Sequence, residues 1–187
     1  MTEDTKRNAS MVGILIGENH RRKILLCRTK KNPEFWQPIG GEQQEYTSTL
    51  SKFFGGNEDD EPTTHIESFN LTAYREIREE TGLDMRMVSY LTEICRHPSK
   101  SGGEVAFYSA LLLHKPIEPL SVMMENNANR CDEIEEAEWV YLSEAVDLPT
   151  MVATKAFLWQ LRHKLLQEDV KNTYKEVIEL TNKNINQ

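Results

Sequence analysis

The segment Arg75-Glu-Ile-Arg-Glu-Glu-Thr-Gly-Leu83 sets Glu76, Glu79 and Glu80 at positions i, i+3 and i+4. On an α-helix that spacing brings three carboxylates onto one face. Like charges at such separations repel, and helix stability alone gives no reason for them. A divalent cation would turn the repulsion into attraction, because hard oxygen donors suit Mg²⁺ or Mn²⁺. Arg75 stands one turn before Glu79, where it can orient that carboxylate. The competing reading is a solvated charged face on which Arg75 and Arg78 pair with the glutamates around them.

With Glu67 placed eight residues before Arg75, the whole segment resembles the Nudix box of the Nudix hydrolases. That pattern is Gly-x5-Glu-x7-Arg-Glu-U-x-Glu-Glu-x-Gly-U, where U is a bulky aliphatic residue. Every specified position from Glu67 onward is met, by Arg75, Glu76, Ile77, Glu79, Glu80, Gly82 and Leu83. So many fixed positions in one frame make chance coincidence a poor explanation. Upstream, Trp36-Gln-Pro-Ile-Gly-Gly41 is similar to the Trp-x-x-Pro-Gly-Gly lead-in common in the family, with its proline one place early. Downstream, Glu138-Trp-Val-Tyr-Leu-Ser-Glu-Ala145 is similar to a late strand and turn of many members. The resemblance spans about residues 10 to 168. One position departs from the pattern: six residues before Glu67 stands Glu61 rather than glycine. With Gly41 as the box glycine, about twenty residues are inserted ahead of Glu67. Gly56 is a second candidate, with five extra residues and flanks that match less well.

The resemblance implies an α/β/α sandwich with a mixed sheet. It also implies metal-dependent hydrolysis of a pyrophosphate bond in a nucleoside diphosphate linked to another moiety. A nucleoside triphosphate, ADP-ribose, a nucleotide sugar or a dinucleoside polyphosphate fits that description, and the implied cofactor is Mg²⁺, with Mn²⁺ as the substitute. Carried over residue by residue, Glu79 and Glu80 become metal ligands and Glu76 a ligand or base, with Arg75 beside them in the catalytic set. Glu67 is a further metal-site candidate, together with the backbone carbonyl near Gly40, and Gly41 permits close backbone approach. Members often take the base or another ligand from a glutamate outside the box. Glu133 is the first choice here, ahead of Glu135 and Glu136, against the reading of that run as a solvated loop. Trp36, Phe53 or Phe54 could stack on a base, although core packing suits Trp36 better. A non-catalytic nucleotide-binding module of the same fold is the alternative function. Such modules usually lose box glutamates, and here Glu76, Glu79 and Glu80 are all present.

The elements that must hold these residues are legible from periodicity. Met11–Ile16 and Lys23–Cys27 read as a hairpin across a polar turn, and Phe35–Ile39 as a third strand closed by Gly40–Gly41. Ser68 is the expected N-cap of a helix reaching Thr81, with Gly82 at its left-handed C-terminal cap. Further strands are expected at Met87–Cys95, Glu104–Leu113 and Ala137–Leu142. Leu158, Leu161, Leu165 and Leu166 give a helix over about 154–167. A separate polar helix with Val170, Tyr174, Val177 and Ile178 is expected to follow and to cover a neighbour or form a homodimer contact. Strands on both sides of a helix, with helices late, indicate an α/β or α+β sandwich. The expectation is one domain over 1–187, with an irregular inserted loop at about 42–66 and a helical extension at about 170–187.

The composition of the 187-residue chain narrows the partners. Thirty acidic against 22 basic residues give a formal charge of −8, which argues against a broad nucleic-acid face. No apolar run is long enough to span a bilayer, and the start, MTEDTKRNAS, has no apolar signal segment. Three cysteines with no close pair indicate neither a disulfide framework nor a zinc site. The expected setting is a reducing cytoplasm and the expected partner a small nucleotide-derived substrate. The basic run His20-Arg-Arg-Lys23 reads as a solvated turn rather than a steering patch.

Overall fold

In the computed structural model the described residues are 6–18, 21–48, 63–114, 119, 123–124, 127 and 133–185. The sheet is built around β1 (Ala9–Ile16), whose side chains alternate between two apolar layers. Val12 and Ile14 face one layer, and Met11 and Leu15 the other. β2 (Lys23–Thr29) divides in the same way, Leu25 and Cys27 against Ile24 and Leu26. Strands buried on both faces lose the apolar–polar alternation of a half-exposed sheet, which is why MVGILI and KILLC read as continuous apolar runs.

One edge of β1 runs parallel to β8 (Glu104–Leu111), from Ala9↔Val105 to Leu15↔Leu111. Its other edge is shared. β4 (Ile39–Glu42) pairs antiparallel with Ala9–Val12, while β2 takes Leu15 and Ile16. β2 then pairs with β3 (Asn32–Gln37) and, along its outer edge, with β9 (Ile134–Tyr141). β7 (Thr92–Pro98) lies antiparallel to β8 on the far side. The result is a mixed seven-stranded sheet in which β2 and β4 diverge from the same edge of β1.

Among the described residues two helices cover it. α1 (Phe69–Thr81) lies on the Val12/Ile14 side through Ala73 and Ile77, with Leu83 just after it. It is capped as expected: the Ser68 hydroxyl accepts from the Leu71 amide, and Gly82 closes the helix at φ 71°. α2 (Leu142–Ala145) is a single turn, and α3 (Val152–Ile185) covers the opposite face with Phe157, Leu158 and Leu161.

Four expectations change in detail. The strand expected at Phe35–Ile39 is two strands, because Pro38 has no amide to give the ladder and the chain turns there. Residues 87–95 begin as a 3-10 turn at Met85–Met87, capped by the Asp84 side chain, and the strand starts only at Thr92. The two late helices are one, since Gln167-Glu-Asp-Val170 holds neither glycine nor proline to stop it. Beyond Asp169, which receives a two-pronged ion pair from Arg22, every side chain from Val170 to Glu179 is exposed. The segment at 42–66 is regular at both ends, where β5 (Glu45–Ser48) pairs antiparallel with β6 (Thr63–Ile66).

Candidate active site

Arg75 is the hub of the charged helix face. Its Nε donates to Glu67 Oε1 (3.0 Å), and its Nη1 to Glu76 Oε1 (2.6 Å) and Glu79 Oε2 (2.9 Å). Its Nη2 donates to the backbone carbonyl of Glu42 (2.8 Å), which ties α1 to the end of β4. A planar guanidinium suits this task, because its fork of five donors is rigid. Glu67 is further held by the Thr72 hydroxyl (3.0 Å) and the Gln44 amide (3.2 Å). Burial pushes the Glu67 carboxyl up, but the hydrogen bonds from Arg75, Gln44 and Thr72 outweigh it and hold its pKa below the ordinary value.

Glu76 and Glu80 lie on the inward side of α1 at 7% and 5% exposure. Acidic side chains are seldom this buried without a partner or a purpose. Burial raises the Glu76 pKa, Arg75 opposes the rise, and the charges of Glu79 and Glu133 add to it. Glu133, just before β9, thus lies near enough for its charge to bear on Glu76. Cys27, on the strand beneath, is pushed up to about 12 by burial, with the charge of Glu80 adding to the effect.

β4 makes room for this face by having no side chain at Gly41. A Cβ there would fall 2.3 Å from Glu76 Oε1 and 2.6 Å from its Cδ. Gly41→Ala is therefore expected to push the Glu76 carboxyl out of place and to lower activity, with only a small change in stability because the displaced group is the end of a flexible side chain. Thermal unfolding beside an activity assay checks this; an alanine variant with native activity would contradict it. Gly40, next to it, is equally tight against the Ser10 carbonyl.

The remaining expected residues separate. Trp36 lies at 8% exposure in the layer under α3, with the Arg28 guanidinium 4.6 Å from its ring centre, so packing accounts for it. Glu136 is ion-paired to Arg28, and Glu135 is exposed. Arg22 is committed to Asp169. Phe53, Phe54, Gly56, Glu61, His20 and Cys131 fall outside the described residues. Three participants had not been anticipated: Thr72, the Glu42 carbonyl, and Asn127, whose side chain reaches the end of α1. Thr72 at the fourth residue after Ser68 had a local signal in its helix position; the other two come from distant chain and had none.

Among the described residues no three His, Cys, Asp or Glu side chains already converge as a cation cage; Arg75 draws the carboxylates toward itself. The donor set nevertheless fits a hard divalent cation. It offers buried carboxylate oxygens and, at Glu76, a carboxyl whose raised pKa a nearby positive charge would reverse.

The mixed sheet between helices, with a carboxylate-rich helix seated against Gly40–Gly41, defines the fold class. A NUDIX domain model matches residues 6–160, and the chain belongs to the Nudix family. Enzymes of this family generally use divalent metals. No curated protein matches the sequence. Among solved structures, a binary complex of Caenorhabditis elegans Ap4A hydrolase superposes with a TM-score of 0.56 at 16% identity, over 85% of this chain and 97% of that one. The NUDIX domain of Shewanella oneidensis NrtR complexed with ADP ribose gives 0.56 at 15%, over 86% and 89%. The Escherichia coli dihydroneopterin triphosphate pyrophosphohydrolase gives 0.52 at 15%, over 82% and 92%. At these identities the likeness is one of fold. Among the described residues no helix is long and apolar enough to cross a membrane.

Proposed function

We propose that this protein hydrolyses a pyrophosphate bond in a nucleoside diphosphate linked to another moiety, using Mg²⁺ or Mn²⁺. The observation that carries the reading is the complete set Glu76, Glu79 and Glu80 on one helix face, two of them buried against a strand that glycine keeps clear. A divalent cation held by these carboxylates neutralises phosphate oxygens and lowers the pKa of the attacking water. Glu79 and Glu80 serve as ligands, Glu76 as a ligand or base, and the Gly40 carbonyl and Glu67 complete the candidate set. Arg75 orients Glu79 and Glu76 and shields their mutual repulsion. Glu133, whose charge bears on Glu76, is the first choice outside the box for the carboxylate that accepts a proton. Gly41 is read as the box glycine, because its missing side chain is what admits Glu76.

The three neighbours differ in what their names say they bind or cleave, so the pocket beyond the phosphates sets the substrate. Product analysis with Mg²⁺ on nucleoside triphosphates, ADP-ribose, nucleotide sugars and diadenosine polyphosphates tests the proposal. Turnover of one compound, releasing the products of pyrophosphate cleavage, is the expected result. Silence across the panel with tight binding of a member would replace it with the ligand-binding reading.

A further inference from the structure

The chain between β8 and β9 meets the end of α1 at Asn127 and sends Met124 into the apolar layer beneath the helix. Met124 is buried, at 3% exposure, in the layer between α1 and the sheet. Asn127 sends its side-chain amide to two consecutive backbone carbonyls, Arg78 (2.9 Å) and Glu79 (2.7 Å). Those carbonyls are among the last four of the helix, which have no partner within it. The Gly82 amide also donates to the Arg78 carbonyl (3.0 Å). A Cβ built on Gly82 would lie 3.6 Å from Asn127 Cβ and Cγ, so the asparagine rests directly on the cap.

The two carbonyls belong to the peptide groups on either side of the Glu79 Cα. An amide fastened to both fixes the rotation of the turn that carries Glu79 and Glu80. The same stretch of chain ends at Glu133, whose carbonyl accepts from the Lys30 amide (2.8 Å) and whose charge bears on Glu76. One connection therefore caps the carboxylate helix and delivers the outlying carboxylate.

We propose that Asn127 is a positioning residue for the cation site, holding the last turn of α1 so that Glu79 and Glu80 address one ion. The inference rests on the metal-binding reading given under Proposed function. Asn127 touches no substrate and no ion; it acts through the backbone it grips. Supporting groups of this kind typically cost about 10–100-fold in metal affinity when removed.

The experiment is a titration of the full-length protein with Mn²⁺, following free Mn²⁺ by electron paramagnetic resonance, alongside thermal unfolding. Wild type is expected to bind. Asn127→Ala should raise the dissociation constant about tenfold with a small change in unfolding temperature. Asn127→Asp keeps the size but loses the donors and puts negative charge at a helix C-terminus, so it should bind at least as poorly as the alanine variant. A merely space-filling role predicts wild-type Mn²⁺ affinity for both variants, or for Asn127→Asp alone, and either result overturns the inference while leaving the proposed function standing. No Mn²⁺ binding by wild type would overturn both.

Discussion

Glu80→Gln is expected to lower metal-dependent turnover by at least about a hundredfold, with thermal unfolding almost unchanged. From the sequence Glu80 looks like a surface charge, but it is one of the two buried carboxylates of α1. That makes the substitution a sharper test. The amide has the same shape, so no cavity opens and the packing of α1 on the sheet is kept. What is lost is an ionised oxygen for the metal, which an amide replaces poorly. Turnover of the best panel substrate at saturating Mg²⁺ is the measurement. Activity within a few-fold of wild type would remove Glu80 from the metal set.

Arg75→Ala should do the opposite and strike stability hard. Arg75 serves Glu67, Glu76, Glu79 and the Glu42 carbonyl at once, from a side chain only 16% exposed. Its loss leaves Glu67, Glu76 and Glu79 without the guanidinium that bonds all three. We expect a cost of about 2–4 kcal/mol and an unfolding midpoint lower by roughly 5–12 °C. The sign of the pH dependence follows from the shifts. The depressed pKa of Glu67 contributes stability above the ordinary carboxylate range, lost as pH falls through its folded value. Glu76, with a raised pKa, is destabilising when charged, and without Arg75 more so. Both effects make the gap between variant and wild type widest near neutrality and narrower in acid. Unfolding in chelator at several pH values checks this, and a pH-independent gap would contradict it. Divalent cations should narrow the gap at neutral pH, since a cation takes over part of the arginine's task.

The carboxylate helix could be read from sequence because its information is local. Cap residues, the i, i+3, i+4 spacing and Gly82 all sit within one short segment, and the structure builds α1 as they indicate. β1 and β2 were equally legible from unbroken apolar runs. The break at Pro38 was underread even though proline is the plainest local signal there. The forked edge of β1 and the bond from Asn127 to α1 join residues far apart in the chain, and no periodicity encodes them. Glu67 is an intermediate case. Its spacing to Arg75 places it in the set, and Thr72 lies within the same local segment, but its partner Gln44 comes within reach only once β5 and β6 are paired.

That pairing has a consequence for how the chain tolerates change in length. Glu45 lies opposite Ile66 and Ser48 opposite Thr63, while Gln44 and Glu67 are joined by two bonds at the root of the ribbon. The chain beyond Ser48 and the chain before Thr63 thus leave and rejoin the domain at a single point. Closing a longer loop adds only a slowly growing entropic cost, and a zipped base keeps even that away from the carboxylates. The ribbon works as a grafting port: sequence can be gained or lost beyond Ser48 and Thr63 while the spacing between Gly41 and Glu67 in space is preserved.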